Sequence, residues 1–149
     1  MNDLRGSCHC GNVSFTLVTE KSAGDLVPRR CSCSMCRRHG ASYISDPGAR
    51  LALRYRVRSL LSVYRFGHGT AQWIICSGCG VLTAVLCETE GRLRAVVTVQ
   101  SMVEHAFLAP EMQTDFEAES VAERLERRAR TWIGTVEVSP PLLQLAPER

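Results

Sequence analysis

Apolar and polar residues alternate through most of the chain and change to a helical spacing only near its end. Val13, Phe15 and Leu17 alternate with polar neighbours, as in a strand with one buried face. Leu61-Ser62-Val63-Tyr64-Arg65-Phe66 and Ala71-Gln72-Trp73-Ile74-Ile75 flank Gly67-His68-Gly69, which predicts a hairpin. Val81 to Leu86 and Leu93 to Val99 flank Glu88-Thr89-Glu90-Gly91 and predict a second. Short strands joined by turns predict small antiparallel sheets, a mainly β chain that is α+β by content. Further on, Val121, Leu125, Ala129 and Trp132 recur at three- and four-residue intervals and predict a C-terminal amphipathic helix within 114–134. Thr114 with Glu117 is its candidate capping box and Gly134 its candidate stop. Glu123–Arg127 and Glu126–Arg130 are expected i,i+4 ion pairs, and the charged face is expected to be solvated. Ser139-Pro140-Pro141 is expected to form an extended, loosely held tail.

The length of 149 residues predicts a single domain over 1–149, and 45% apolar content is enough for a core. No apolar run is long enough to cross a membrane. Met1-Asn2-Asp3-Leu4-Arg5-Gly6 lacks the basic start and apolar stretch of a signal peptide, so a cytoplasmic location is expected. Reducing conditions there disfavour disulfides, and cysteines then read better as metal ligands.

Eight cysteines make that reading consequential. They fall as Cys8-x-Cys10, Cys31-x-Cys33-x-x-Cys36 and Cys76-x-x-Cys79, with Cys87 alone. Two pairs together close a tetrahedral zinc site, and three thiols alone leave one position open. Closed sites are usually structural and open ones usually catalytic. Cys8 and Cys10, if on a strand, project from one face toward one ion. Cys76 and Cys79 suit a tight turn, and a glycine follows each pair (Gly11, Gly80), where backbone amides can approach sulfur. A site built from both pairs spans 65 intervening residues and would contribute directly to folding. Spacing alone also permits Cys31-x-Cys33 or Cys33-x-x-Cys36 to close a site with another pair. His39 is a candidate fourth ligand or acid/base group beside the triplet. His9 is expected to point away from the metal, His68 and His105 to lie on the surface, and Cys87 to be a small core residue.

The formal charge is +3 with every thiol neutral. Seven thiolates around two Zn²⁺ would bring the total to about zero. Arg29, Arg30, Arg37 and Arg38 beside the triplet fit that compensation. No Lys/Arg run is interleaved with stacking aromatics, which argues against a nucleic-acid surface.

The segments Gly6-Ser7-Cys8-His9-Cys10-Gly11-Asn12-Val13-Ser14-Phe15, Cys31-Ser32-Cys33-Ser34-Met35-Cys36-Arg37-Arg38-His39-Gly40-Ala41 and Cys76-Ser77-Gly78-Cys79-Gly80 resemble the glutathione-dependent formaldehyde-activating enzyme (GFA) family. That family shares its domain with centromere protein V. The resemblance covers a core of about 6–99 and leaves out the helical last third. It implies a Mss4-like fold of small coiled β-sheets and two zinc ions per chain. Cys8, Cys10, Cys76 and Cys79 would hold the structural ion, and Cys31, Cys33 and Cys36 the catalytic one. The implied activity is that of a carbon–sulfur lyase acting on the thiol adduct of a small aldehyde, such as S-hydroxymethylglutathione from formaldehyde and glutathione. The alternative is a non-catalytic zinc-stabilised module that binds glutathione or another thiol, or serves as a scaffold. Ile75 and Val81 depart from the family's usual residues beside the last cysteine pair, as does the Asp46-Pro47-Gly48 interruption. None of these removes a ligand.

Overall fold

The structure, a computed structural model, describes residues 1–142. Residues 143–149 of the expected domain lie outside the described residues. In chain order the strands are β1 (Asn2–Ser7), β2 (Val13–Thr19), β3 (Arg29–Cys31), β4 (Ser42–Ile44), β5 (Arg50–Tyr55) and β6 (Leu61–Tyr64). They continue with β7 (Gln72–Cys76), β8 (Leu82–Thr89), β9 (Arg92–Thr98), β10 (Met112–Thr114) and β11 (Thr135–Ser139). Two α-helices, α1 (Ser34–His39) and α2 (Val121–Thr131), interrupt them. One sheet has the order β1-β2-β5-β11 and the other β10-β3-β4-β9-β8-β7-β6. The chain is mainly β, as its alternation predicts, and both expected hairpins form, β6 with β7 and β8 with β9.

The main core joins the inner faces of the two sheets. Val13, Phe15 and Leu17 of β2 and Leu51 and Leu53 of β5 meet Ile74, Ala84, Leu86 and Val97 of the larger sheet. The other face of that sheet is also covered. There Trp73, Val85, Cys87 and Val96 pack with Tyr43 and with Trp132, just past α2. Burial on both faces explains why β8 is an almost unbroken apolar run rather than an alternating one. Cys87 is fully buried there, as expected.

Two pairings depart from the antiparallel expectation: β10 runs parallel to β3, and β11 parallel to β5. Parallel neighbours need a long crossover, and both strands return from the last third of the chain. Of the expected tail Ser139-Pro140-Pro141, only Ser139 is in a strand: it ends β11, an edge strand whose Val136 and Val138 pack against the main core, and Pro140 and Pro141 lie beyond it.

Helix α2 also starts later than its candidate cap. Ser120 accepts from Glu123 N (3.1 Å), and the Glu123 carboxylate accepts from Ser120 N (2.8 Å), forming the capping box. Thr114 instead ends β10, its hydroxyl donating to Arg30 O. Because Glu123 is turned back to its cap, Arg127 pairs with Glu119, and a Glu126–Arg130 pair does not form among the described residues. The face expected to be solvated carries Arg128 inward, buried at 7% exposure.

The helix stops at Thr131, so Gly134 is not its terminator. A Cβ on Gly134 would run into the Pro47 carbonyl oxygen, and this close approach is what requires glycine. Gly134→Ala is expected to destabilise the fold by about 1–3 kcal/mol through overpacking. Thermal melting checks this, and an unchanged midpoint would contradict it. No helix among the described residues is long and apolar enough to cross a membrane.

Candidate functional site

The outer cysteine pairs come together from two turns. β1 ends at Ser7, so Cys8 and Cys10 lie in the turn before β2 rather than on a strand face. The backbone there curls around sulfur: Val13 N–H donates to Cys8 Sγ (3.3 Å), and Gly11, at φ 82°, donates to Cys8 O (3.2 Å). Cys76 closes β7, and Cys79 follows in the turn to β8, with Gly80 at φ 79°. The four sulfurs lie within 4.8 Å of one another. Cys8 and Cys10 sulfurs are 3.7 Å apart, and Cys10 and Cys76 sulfurs 3.5 Å. A tetrahedral ion with metal–sulfur bonds of ~2.3 Å needs edges of roughly 3.8 Å, so these thiols fit one zinc with little adjustment. Burial pushes Cys76 up to about 11. Cys79 is held at about 6: burial opposes ionisation, but amides of Cys10 and Val81 and the Cys76 and Cys8 thiols outweigh it.

The triplet forms a second, separate cluster, so it does not pair into the first. Cys31 ends β3, Cys33 caps α1 and Cys36 lies in its first turn. Their sulfurs also lie within 4.8 Å of one another, and no His, Asp, Glu or further Cys among the described residues joins the group. His39, the candidate fourth ligand, ends α1 on the exposed side and is not part of it. Cys33 N–H donates to Cys31 Sγ (3.5 Å) and Cys36 N–H to Cys33 Sγ (3.4 Å). Hydrogen bonds from the Cys31 and Cys36 thiols hold Cys33 far below the usual thiol value, as the thiolate of the group. The bond with Cys33 raises Cys31, and bonds with Cys31, then Cys33, raise Cys36. Tyr43 Oη is 3.0 Å from Cys36 Sγ, and burial, then the charge of Cys36, keeps this phenol neutral. Both cysteine groups can therefore hold a metal ion, and an all-thiol donor set suits zinc.

All three triplet cysteines line a cavity of about 290 Å³. Tyr43, Phe66, Trp73, Val85, Val96 and Trp132 give it apolar walls, and Arg29, Arg124, Arg127 and Arg128 line it as well. His68, expected simply on the surface, is exposed but lies on this rim. Of the four arginines flanking the triplet in sequence, only Arg29 lines the cavity. Arg30 pairs with Glu111, while Arg37 and Arg38 are exposed on α1. The three from α2 carry no local signal: they look like any charged helix face until the fold turns them inward.

The family model described as glutathione-dependent formaldehyde-activating enzyme matches residues 3–118, most of the chain and both cysteine clusters. This chain belongs to that family. It is also similar to a Rhodobacter sphaeroides protein of known crystal structure, a structural-genomics target, at 28% identity and a TM-score of 0.50. That match covers 72% of this chain and 99% of the other. Helix α2 lies beyond the stretch matched by the family model, so part of the cavity wall in this GFA-family protein comes from outside it.

Proposed function

We propose that the protein is a zinc-dependent carbon–sulfur lyase-type enzyme acting on the thiol adduct of a small aldehyde, such as S-hydroxymethylglutathione. The observation that carries this reading is the opening of a three-cysteine group, with no fourth side-chain ligand among the described residues, onto a cavity of about 290 Å³. Cys31, Cys33 and Cys36 would hold the catalytic ion, and Cys8, Cys10, Cys76 and Cys79 the structural one. A zinc ion held there supplies a Lewis acid able to polarise a carbonyl or stabilise a thiolate.

The chain's own residues do the rest. In the direction of adduct formation, the thiol sulfur bonds to the aldehyde carbon. The C=O π bond breaks, and the proton lost from sulfur ends on oxygen, with no change of oxidation state overall. The aromatic and branched walls give the reactants apolar surroundings, which favour attack by sulfur over hydration of the aldehyde. Holding thiol and aldehyde side by side replaces a bimolecular encounter. Tyr43, kept protonated by burial, directs its hydroxyl toward Cys36 and fixes the orientation of that thiol. Cys31, Cys33 and Cys36 would each bind such an ion as thiolates.

Exchange NMR on formaldehyde and glutathione tests the reading. The protein is expected to accelerate exchange between free and adduct signals beyond the spontaneous rate. Absence of acceleration across a range of protein concentrations would replace the enzyme with a thiol-binding module.

A further inference from the structure

We propose that the cavity contains a carboxylate subsite formed by Arg128, so that the preferred thiol–aldehyde adduct is a compact one with an apolar body and a carboxylate. This rests on the reading of the cavity as the reaction site and adds the class of molecule it selects.

Arg128 reaches the cavity from α2 with only 7% of its surface exposed. Its guanidinium carries a permanent charge and five donors in a planar fork. Nη1 donates to Thr70 Oγ1 (2.9 Å) and to Cys87 Sγ (3.5 Å), and the group sits 4.9 Å from the centre of the Trp132 ring. Nε is buried with no acceptor. Among the described residues, Arg128 has no carboxylate within salt-bridge distance. The neighbouring arginines are placed differently. Arg127 makes a two-point contact with Glu119 (2.9 and 3.0 Å) and stacks on Phe116. Arg124 donates to Phe116 O (2.9 Å) and lies 3.8 Å from the same Glu119. Glu119 thus occupies two of the arginines and leaves Arg128 without a counter-charge. Arg29, which also lines the cavity, donates to Ser45 Oγ and likewise has no carboxylate partner among the described residues.

Compensation of the thiolates does not account for this pair. Neither guanidinium hydrogen-bonds Cys31, Cys33 or Cys36, and the sulfur that Arg128 touches is Cys87, outside both clusters. A buried charge with an unsatisfied donor needs an anion, and a guanidinium fork matches a carboxylate. Phe66, Trp73, Val85, Val96 and Trp132 supply apolar wall, which suits an apolar body, while Glu117, a cavity-lining carboxylate, makes no ion pair with Arg128. A cavity of about 290 Å³ is at the small end for ligand sites, which favours a compact one.

Benzoate and its neutral isostere benzamide test this by calorimetric titration of the metal-loaded protein. Benzoate is expected to bind at least tenfold tighter than benzamide to the wild type, and equally so to Cys33→Ser. Arg128→Met should bring benzoate down to the level of benzamide, and Arg128→Lys should restore part of the difference. Equal affinity for the two probes in the wild type, or binding of neither, overturns the proposal. So does benzoate binding that survives Arg128→Met or disappears in Cys33→Ser, since the carboxylate would then sit on the metal. If Arg128→Met fails to fold, the wild-type comparison together with Arg128→Lys decides. Benzoate has neither thiol nor aldehyde, so its binding stands apart from the exchange experiment: either can fail while the other succeeds.

Discussion

Cys76→Ser is expected to yield a chain that no longer folds stably and has lost the ion of its four-cysteine cluster. Cys76 is fully buried at the end of β7, and its sulfur lies 3.5 Å from that of Cys10. The turns the cluster joins belong to different sheets, β1–β2 in one and β7–β8 in the other. Structural zinc binds zinc-finger peptides with about 10–16 kcal/mol, comparable to or larger than the whole stability of a domain at about 5–15 kcal/mol. Losing one thiolate removes a large part of that and leaves three sulfurs crowded around nothing. Circular dichroism melting with metal analysis by mass spectrometry checks the outcome. A strong chelator added to the wild type should produce the same unfolding. A variant that melts like the wild type and retains two ions would show that this cluster is not structural.

Cys33→Ser is expected to have the opposite profile: a retained fold, one ion fewer and activity reduced by at least about a thousandfold. The magnitude follows from several kcal/mol of Lewis-acid stabilisation at roughly 1.4 kcal/mol per tenfold. The fold should survive because of where Cys33 sits. It is the N-cap of α1, its sulfur accepting from Cys36 N. Serine is among the best residues for that position, so the cap persists while the soft ligand is lost. The cluster also lies at the edge of a cavity rather than between the sheets, so its loss leaves the main core intact. Single-turnover assays, metal content and melting temperature read the three effects separately. Turnover at the wild-type rate would refute a role for the three-cysteine group in the chemistry.

The parts of this site that sequence made legible are those written in short range. Cys8, Cys10, Cys76 and Cys79 advertise a shared ion through pair spacing and the glycine after each pair, and the structure brings them together. The details differ where local reading chose between equivalent geometries. A C-x-C pair can reach one metal from a strand or from a turn, and here Gly11 makes it a turn. Hairpin strands were visible because alternation and turn glycines are local signals. β11 is masked by the prolines that follow it, Pro140 and Pro141, although Val136 and Val138 alternate as a strand should. The least legible residues are those the cavity collects from distant elements: Tyr43 from β4, His68 from the β6–β7 turn, and Arg124, Arg127 and Arg128 from α2. A charged helix face is by default a wet one, and only tertiary placement turns Arg128 inward. The cap misassignment has the same origin: Thr114-x-x-Glu117 and Ser120-x-x-Glu123 are equal patterns, and pairing of Thr114 with Cys31 across β10 and β3 decides between them.

The four-cysteine cluster also bears on how the molecule comes to be made. Its two halves are separated by 65 residues, and neither turn holds enough sulfur to close a site alone. Loop closure over that distance has to be achieved before the ion can gain its full set of ligands. An ion held by these four thiols would therefore be taken up late, once both hairpins have met. A nascent chain that has emerged only as far as β6 has nothing with which to complete the site. Arrival of the ion would then work as a checkpoint on assembly, separating chains whose sheets have docked from chains that have only made their local turns.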